Sequence, residues 1–270
     1  MDGKPGELWD VPHFSHKERA QYTPIPPPQD DEYREVAWGI PSCGTKHELI
    51  VTNRPKPILS GQCKLEILYC GICHSDCHVG FNHFGATKYP SITGHEIAGR
   101  IVEVGPDVKK FKVGDKAAIG TLLDSCMKCE YCLAGDEQYC PEVVKAYNAA
   151  KAKSYGSHLG GNMDIPTHGG YTGSHVLHER FLVKVADDFP LEKAGPIMCA
   201  GITLYDPLKW WKATEGGKTV GIVGIGGLGT MGLKLAKALN NTVVALSSSN
   251  KKLGMCKDKG ADFYVSWNDK

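Results

Sequence analysis

The stretch KTVGIVGIGGLGTMGLKLAKALNNTVVALSSS, residues 218–249, decides the fold of the C-terminal part of this chain. TVGIV reads as a short buried strand, uncharged and rich in β-branched residues. LGTMGLKLAKAL then repeats apolar residues at helical spacing, and TVVALS returns to a strand. Between the first strand and the helix stand Gly224, Gly226 and Gly229, a G-x-G-x-x-G pattern with Ile225, Gly227 and Leu228 in its gaps. Alone the pattern is weak, and the competing reading is an ordinary glycine turn. Directly after a strand and opening a helix, it is a dinucleotide fingerprint. The first glycine permits the tight turn, the second lets backbone approach a pyrophosphate, and the third lets helix and strand pack closely. The phosphates would meet the helix N-terminus. KKLGMCKDKGADFYVSW, residues 251–267, adds a helix and a strand. Together these predict an α/β architecture, one β-α-β-α-β half of a doubly wound parallel sheet.

The nucleotide follows from what ends the second strand. An NAD site carries Asp or Glu there to bind the ribose hydroxyls. No acid occurs between Gly224 and Asp258; Ser247, Ser248, Ser249, Asn250, Lys251 and Lys252 stand there instead. Hydroxyl donors and ammonium groups suit a 2′-phosphate, which a carboxylate would repel. This predicts NADP(H), although lysines here could also be a solvated helix start.

Toward the N-terminus the character changes. LEKAGPIMCAGITLYDPLKWW, residues 191–211, carries apolar residues at helical spacing and predicts two helices. From Glu35 to Val185 the pattern is short strands and turns, with no long amphipathic helix. CKLEILYCGI alternates in part, AGRIVEVG and FKVGDKAAIG flank the turn GPDVKK, and HVLHERFLVKVA reads as a strand pair. Residues 1–34 are polar and contain the proline run TPIPPPQDD, which cannot form a core element. The expected division is an extension over 1–34, a β-rich domain over 35–190 and the nucleotide half-domain over 191–270.

Composition narrows the function classes. The 270 residues carry a net charge of +1 with mixed signs, so nothing argues for nucleic-acid or membrane partners. The first residues, MDGKPGELWDVPHF, are no secretory signal. Eleven cysteines without such a signal fit a reducing cytoplasm with metal-bound and free thiols.

Cys126, Cys129, Cys132 and Cys140 are spaced C-x2-C-x2-C-x7-C. Four thiols this close suit zinc in a closed tetrahedron, a structural site with no position open to substrate. A pair of disulfides is the competing reading. A second concentration of ligand-type side chains lies in Cys70-Gly71-Ile72-Cys73-His74-Ser75-Asp76-Cys77-His78 and Gly94-His95-Glu96. A catalytic zinc needs three protein ligands and an open position. Cys73 and His95 are candidates, and Cys199 in PIMCAGIT is the best remaining thiol, though buried cysteines are more often inert packing.

The motifs CGICHSD, TGHEIAG, the four-cysteine cluster, MCAGITLYDPL and GIGGLG stand in one order along residues 35–270. In that order the chain resembles the zinc-dependent medium-chain alcohol dehydrogenases, and with SSSNKK the NADP-linked cinnamyl-alcohol-dehydrogenase-like branch. The resemblance implies a GroES-like catalytic domain beside a partial Rossmann domain, and two Zn²⁺ per chain. It implies Cys73, His95 and Cys199 as ligands of the catalytic zinc, with Glu96 beside them. It implies that Asp76 orients the histidine ligand, that Ser75 bonds the substrate oxygen and adjoins the cofactor, that His78 completes a proton relay, and that Thr203 lies by the nicotinamide. The implied reaction moves hydride between NADP(H) and a primary alcohol or aldehyde, and the full-length form is expected to be a homodimer.

Departures from the branch fall at the expected substrate entrance. Lys145 stands where lignin-pathway members carry a large aromatic, and the segment from Ala149 to His168 is longer than in the branch. Phe81, Phe84 and Leu122 could line the pocket or simply fill core. Members of the branch also continue past the position of Lys270. That raises a second expectation, a truncated zinc-binding remnant acting as the partner of a full-length relative.

Overall fold

The computed structural model describes residues 32–55, 58–85, 87–146 and 167–268. The expected extension over 1–34 and the long segment after Ala149 lie mostly outside them. Strands β1 (Glu32–Gly39) and β2 (Glu48–Pro55) form an antiparallel hairpin, so regular structure begins inside the stretch read as an extension.

Three strands form the centre of the main sheet of the β-rich part: β3 (Gln62–Gly71), β4 (Glu96–Val104) and β5 (Lys116–Ile119). Helix α1 (His74–Gly80) lies between β3 and β4. After β5 come β6 (Leu122–Asp124), helix α2 (Glu130–Ala134), β7 (Val144–Lys145), β8 (Ser174–His178) and β9 (Val183–Lys184). The main sheet has the order β8-β3-β4-β5-β9, all neighbours antiparallel, and β6 pairs with β7. Its core is apolar and tightly packed: Leu65, Ile97, Ile119, Leu123, Leu177 and Leu182 are each at most 1% exposed.

Strand β3 alternates only in part, and its register against β4 shows why. Ile67 faces Gly99 while Tyr69 faces Ala98, so Leu68 is an extra residue in a bulge. A bulge flips the following side chains and bends the strand. Cys63 and Leu65 point inward before it, whereas Leu68 and Tyr69 are both about half exposed after it. The bend delivers the chain to Cys73 and α1.

Residues 191–211 do not form two separate helices. They run helical throughout: a 3₁₀ turn at Leu191–Lys193, an α turn at Ala194–Pro196, a π turn at Ile197–Gly201, then helix α3 (Ile202–Trp210). A π turn inserts one residue into the helical period without ending the helix, so the two expected helices are one continuous run. Gly195 sets where this run lies. A Cβ there would fall 2.2 Å from the Glu96 carbonyl oxygen, so only glycine lets the turn rest on β4.

Strands β10 (Thr219–Val223), β11 (Thr242–Ser247) and β12 (Phe263–Ser266) form a parallel sheet in that order, joined by helices α4 (Gly227–Ala238) and α5 (Leu253–Asp258). This is the half doubly wound sheet expected from residues 218–267. Helix α4 buries Gly229, Gly232, Leu233 and Ala236, the i, i+3, i+4, i+7 stripe of a helix laid on a sheet. Its small residues let the helix approach Ile222 and Leu204 closely. Among the described residues one edge of β10 is unpaired, and Val223 and Phe263 remain more than half exposed. No helix among the described residues is long and apolar enough to cross a membrane.

Candidate functional site

Asp76 organises the site. Cys73 is the N-cap of α1, and the Asp76 carboxylate reaches back to accept the Cys73 N–H at 3.0 Å. Its other oxygen accepts the Gly94 N–H at 2.9 Å and lies 3.7 Å from His95 Nδ1. The Tyr171 hydroxyl donates to the first oxygen at 2.7 Å. One buried carboxylate thus ties the loop carrying Cys73 to the loop carrying His95. Burial opposes its ionisation, but His95 and the N–H and O–H donors outweigh that and hold it below the usual carboxylate range. For His95, burial acts to lower the pKa, and the contact with Asp76 overrides it and raises it. Nδ1 faces Asp76, which leaves Nε2 for whatever the site holds.

Cys73, His95, Glu96 and Cys199 each bring a ligand atom within 4.8 Å of all the others. Cys73 Sγ and Cys199 Sγ are 3.9 Å apart, and His95 Nε2 is 3.3 Å from Cys199 Sγ. Tetrahedral zinc with ~2.3 Å bonds to sulfur sets its sulfurs about 3.8 Å apart. The donor set therefore fits zinc. The two sulfurs also divide their charge unequally. Burial disfavours the Cys73 thiolate, yet the Ser75 donors and His95 bring its pKa below that of an ordinary thiol. Burial and the charges of Cys73 and Glu96 push Cys199 up to about 12. A divalent cation would stabilise both as thiolates. Burial likewise raises Glu96, which is 6% exposed.

Ser75 and His78 lie on α1 three residues apart, on one helical face. Ser75 Oγ is 3.5 Å from Cys73 Sγ, beside the ligand cluster, and both Ser75 and His78 are partly buried. Thr203 follows Cys199 by four residues and is exposed at the start of α3. Phe81 and Phe84 are 53% and 64% exposed, so neither is core, whereas Leu122 is partly buried and pairs across β6–β7 with exposed Lys145.

Cys126, Cys129, Cys132 and Cys140 also converge, each ligand atom within 4.8 Å of the rest. Cys132 Sγ lies 3.9 Å from Cys126 Sγ and 3.4 Å from Cys129 Sγ, and none of the eleven cysteines forms a disulfide. N–H groups of Cys129 and Glu142 point at Cys126 and Cys140 sulfurs at 3.3 Å, an arrangement that favours thiolates. All four positions are filled by sulfur, so this cluster suits a closed structural zinc. Arg180 braces it, donating to the Cys132 carbonyl at 2.7 Å and pairing with Glu137.

The glycine turn has the shape a pyrophosphate needs. Gly224 has φ +82°, and a Cβ on Gly229 would fall 2.2 Å from the Gly224 carbonyl. Above Gly226 and Gly227 the space is open, and no side chain caps the start of α4. Its first N–H groups are therefore available to phosphate. Of the residues expected at the 2′-phosphate, Ser248, Asn250 and Lys251 are exposed and Ser249 is partly buried. Ser247 is buried, and Lys252 Nζ donates to the Ile225 carbonyl at 2.5 Å, tying the second turn to the first.

Residues 60–187 match the model of the alcohol dehydrogenase GroES-like domain. A probable cinnamyl alcohol dehydrogenase of Lolium perenne is 42% identical over 206 residues, 76% of this chain and 54% of that protein. The chain belongs to the medium-chain alcohol dehydrogenases. An NADP-dependent alcohol dehydrogenase of Mycolicibacterium smegmatis is 43% identical over 206 residues, 76% of this chain and 56% of that protein. Among solved structures, a cinnamyl alcohol dehydrogenase of Sorghum bicolor superposes with TM-score 0.79 at 34% identity, covering 88% of this chain and 65% of that one. The Helicobacter pylori enzyme complexed with NADP(H) gives 0.77 at 35%, covering 86% and 64%. These relatives put the chain in the cinnamyl-alcohol-dehydrogenase-like branch of the family. The chain spans about half the length of the curated relatives it matches.

Tyr171 escaped the sequence reading; its only signal is an aromatic between the glycines of GGYTG. Burial and the neighbouring Asp76 charge raise its pKa, so it stays a donor. It acts on the ligand cluster only through Asp76 and is a positioning residue. Tyr171→Phe is expected to weaken metal binding at Cys73, His95 and Cys199 roughly 10-fold, as loss of an outer hydrogen bond does. Chelator competition would show this, with the four-cysteine cluster unaffected.

Proposed function

We propose that the chain is the catalytic domain and first nucleotide-binding half of a zinc-dependent oxidoreductase that moves hydride between NADP(H) and a primary alcohol or aldehyde. The observation that carries this reading is the convergence of Cys73, His95, Glu96 and Cys199, donors from three separate segments, into one ligand set. When bound, the metal supplies Lewis acidity toward a carbonyl oxygen and the nicotinamide supplies the hydride. The residues supply the rest. Cys73, His95 and Cys199 hold the metal, with Glu96 beside them as an exchanging or outer ligand. Asp76 and Tyr171 fix the face that His95 presents. Ser75 Oγ hydrogen-bonds the substrate oxygen, and His78, on the same face of α1, passes the proton to solvent. Thr203 borders the nicotinamide. Gly224, Gly226 and Gly229 seat the pyrophosphate, and Ser248, Ser249, Asn250 and Lys251 face the 2′-phosphate, with no carboxylate to repel it.

The four-cysteine cluster is read as the second zinc of the chain, a structural one. The proposed division places the catalytic domain at 35–190 and the nucleotide half-domain at 191–270. The eleven unpaired thiols support a reducing compartment, the cytoplasm. For the full-length form a homodimer is the proposed assembly, to be measured by light scattering.

The test is metal analysis together with NADPH consumption over aromatic and aliphatic aldehydes. Two zinc ions per chain are expected, matching the two ligand clusters. NADPH should be bound at least about 10-fold more tightly than NADH, about 1.4 kcal/mol. Undiminished turnover after all zinc is chelated, or a preference for NADH, would overturn the reading.

A further inference from the structure

Strand β12 runs up to the turn read as facing the 2′-phosphate, and one of its side chains reaches that turn. Phe263 and Val265 are exposed, whereas Tyr264 and Ser266 alternate with them on the partly buried face. The parallel register sets Tyr264 beside Ala245 and Ser266 beside Ser247. The Trp267 N–H donates to the Ser247 carbonyl at 3.2 Å, so β12 stays alongside β11 to the point where Ser248 begins the turn. The Tyr264 ring packs against the core that contains Ala245. Its hydroxyl donates to the Ser249 carbonyl.

Phenylalanine would fill the same core, so packing does not account for the hydroxyl. A trans peptide points its C=O and its N–H in opposite directions. Holding the Ser249 carbonyl therefore turns the Asn250 N–H away from Tyr264, with Ser249 extended at φ −158° and ψ 160°. The glycine turn is tied in a similar way, since Lys252 Nζ takes the Ile225 carbonyl at 2.5 Å. The orientation of a carbonyl matters most beside an anion. A 2′-phosphate offers only acceptor oxygens and carries about −1.5 to −2 charges, so a carbonyl oxygen facing it repels and an N–H attracts. A ribose 2′-hydroxyl both donates and accepts, and tolerates either.

We propose that Tyr264 is a positioning residue for cofactor choice: by holding the Ser249 carbonyl, it keeps the turn in the peptide orientation that admits a 2′-phosphate. The inference rests on the proposed use of NADP(H) and adds a determinant that lies outside the turn, on the neighbouring strand. Tyr264 acts through the Ser249–Asn250 peptide, so its removal frees that peptide to flip. The flipped form discourages NADPH and leaves NADH unaffected.

The experiment is titration calorimetry of zinc-loaded wild type and Tyr264→Phe, each with NADPH and with NADH. The phenyl ring keeps the core filled, so Tm should be nearly unchanged. Wild type should prefer NADPH. Tyr264→Phe should bind NADPH roughly 5-fold more weakly, the scale of one net hydrogen bond, and NADH as tightly as wild type does. Equal weakening toward both cofactors would make Tyr264 a purely structural residue, and no weakening toward either would make its hydrogen bond idle. Either result, with a wild type that prefers NADPH, would overturn the role of Tyr264 alone. A wild type that binds neither cofactor, or binds NADH as tightly as NADPH, would overturn the use of NADP(H) and the role of Tyr264 with it.

Discussion

Cys73→Ala should lower the zinc content from two ions per chain to one and abolish aldehyde reduction, with the fold intact. Cys73 contributes one of two thiolates to a set whose other sulfur is 3.9 Å away, and alanine offers no substitute donor. The Lewis acid lost is worth several kcal/mol of barrier, so the rate should fall roughly 1,000-fold or more. Helix α1 should still form, because its N-cap bond runs from the Cys73 N–H to Asp76 and survives the substitution. Cys77→Ala is the matched control, an exposed thiol on the same helix and outside both ligand clusters. Retention of both zinc ions and of turnover in Cys73→Ala would refute the assignment of the working metal.

Cys140→Ala should show the opposite balance, losing stability before chemistry. The four-cysteine segment contains only the five-residue helix α2 and a single 3₁₀ turn, too little regular structure to hold itself together. A metal held there would be its cross-link, supported from outside by Arg180 through the Cys132 carbonyl and Glu137. Removing one ligand from so short a loop should cost about 3 kcal/mol, the scale of a lost disulfide. That is a fall in Tm on the order of 10 °C for a chain of this size. Limited proteolysis should then cut between Cys126 and Cys140 first. NADPH affinity should persist, because the glycine turn belongs to a different core. A variant with unchanged Tm and both zinc ions would show that the cluster braces nothing.

The parts of the fold that repeat a short-range rule were readable from the sequence. The glycine turn could be placed because strand, turn and helix follow one another within 20 residues, each with its own period. The four thiols could be placed because they are close along the chain. Long-range placement was not readable in this way. Cys73 and Cys199 are 126 positions apart, and the residues alone made Cys199 only the best remaining thiol until the family resemblance implied it as a ligand. Leu68 blurred the alternation of β3 because a bulge has no period, and nothing in the apolar spacing of residues 191–211 marks the π turn at Ile197–Gly201 that joins the two expected helices into one run. Tyr171 was missed because a hydrogen bond to a residue 95 positions earlier leaves no local trace.

The π turn has a thermodynamic consequence. It brings Cys199 to Cys73, so a metal bound by both would close a loop of 126 residues in the unfolded chain. Loop closure costs entropy that grows with the logarithm of length, and a tie across so long a span removes much of the freedom of the denatured ensemble. Stripping the working metal would therefore do more than end turnover. It would release the helical run at Leu191–Trp210 from β4, and amide exchange there should quicken before it does in the main sheet.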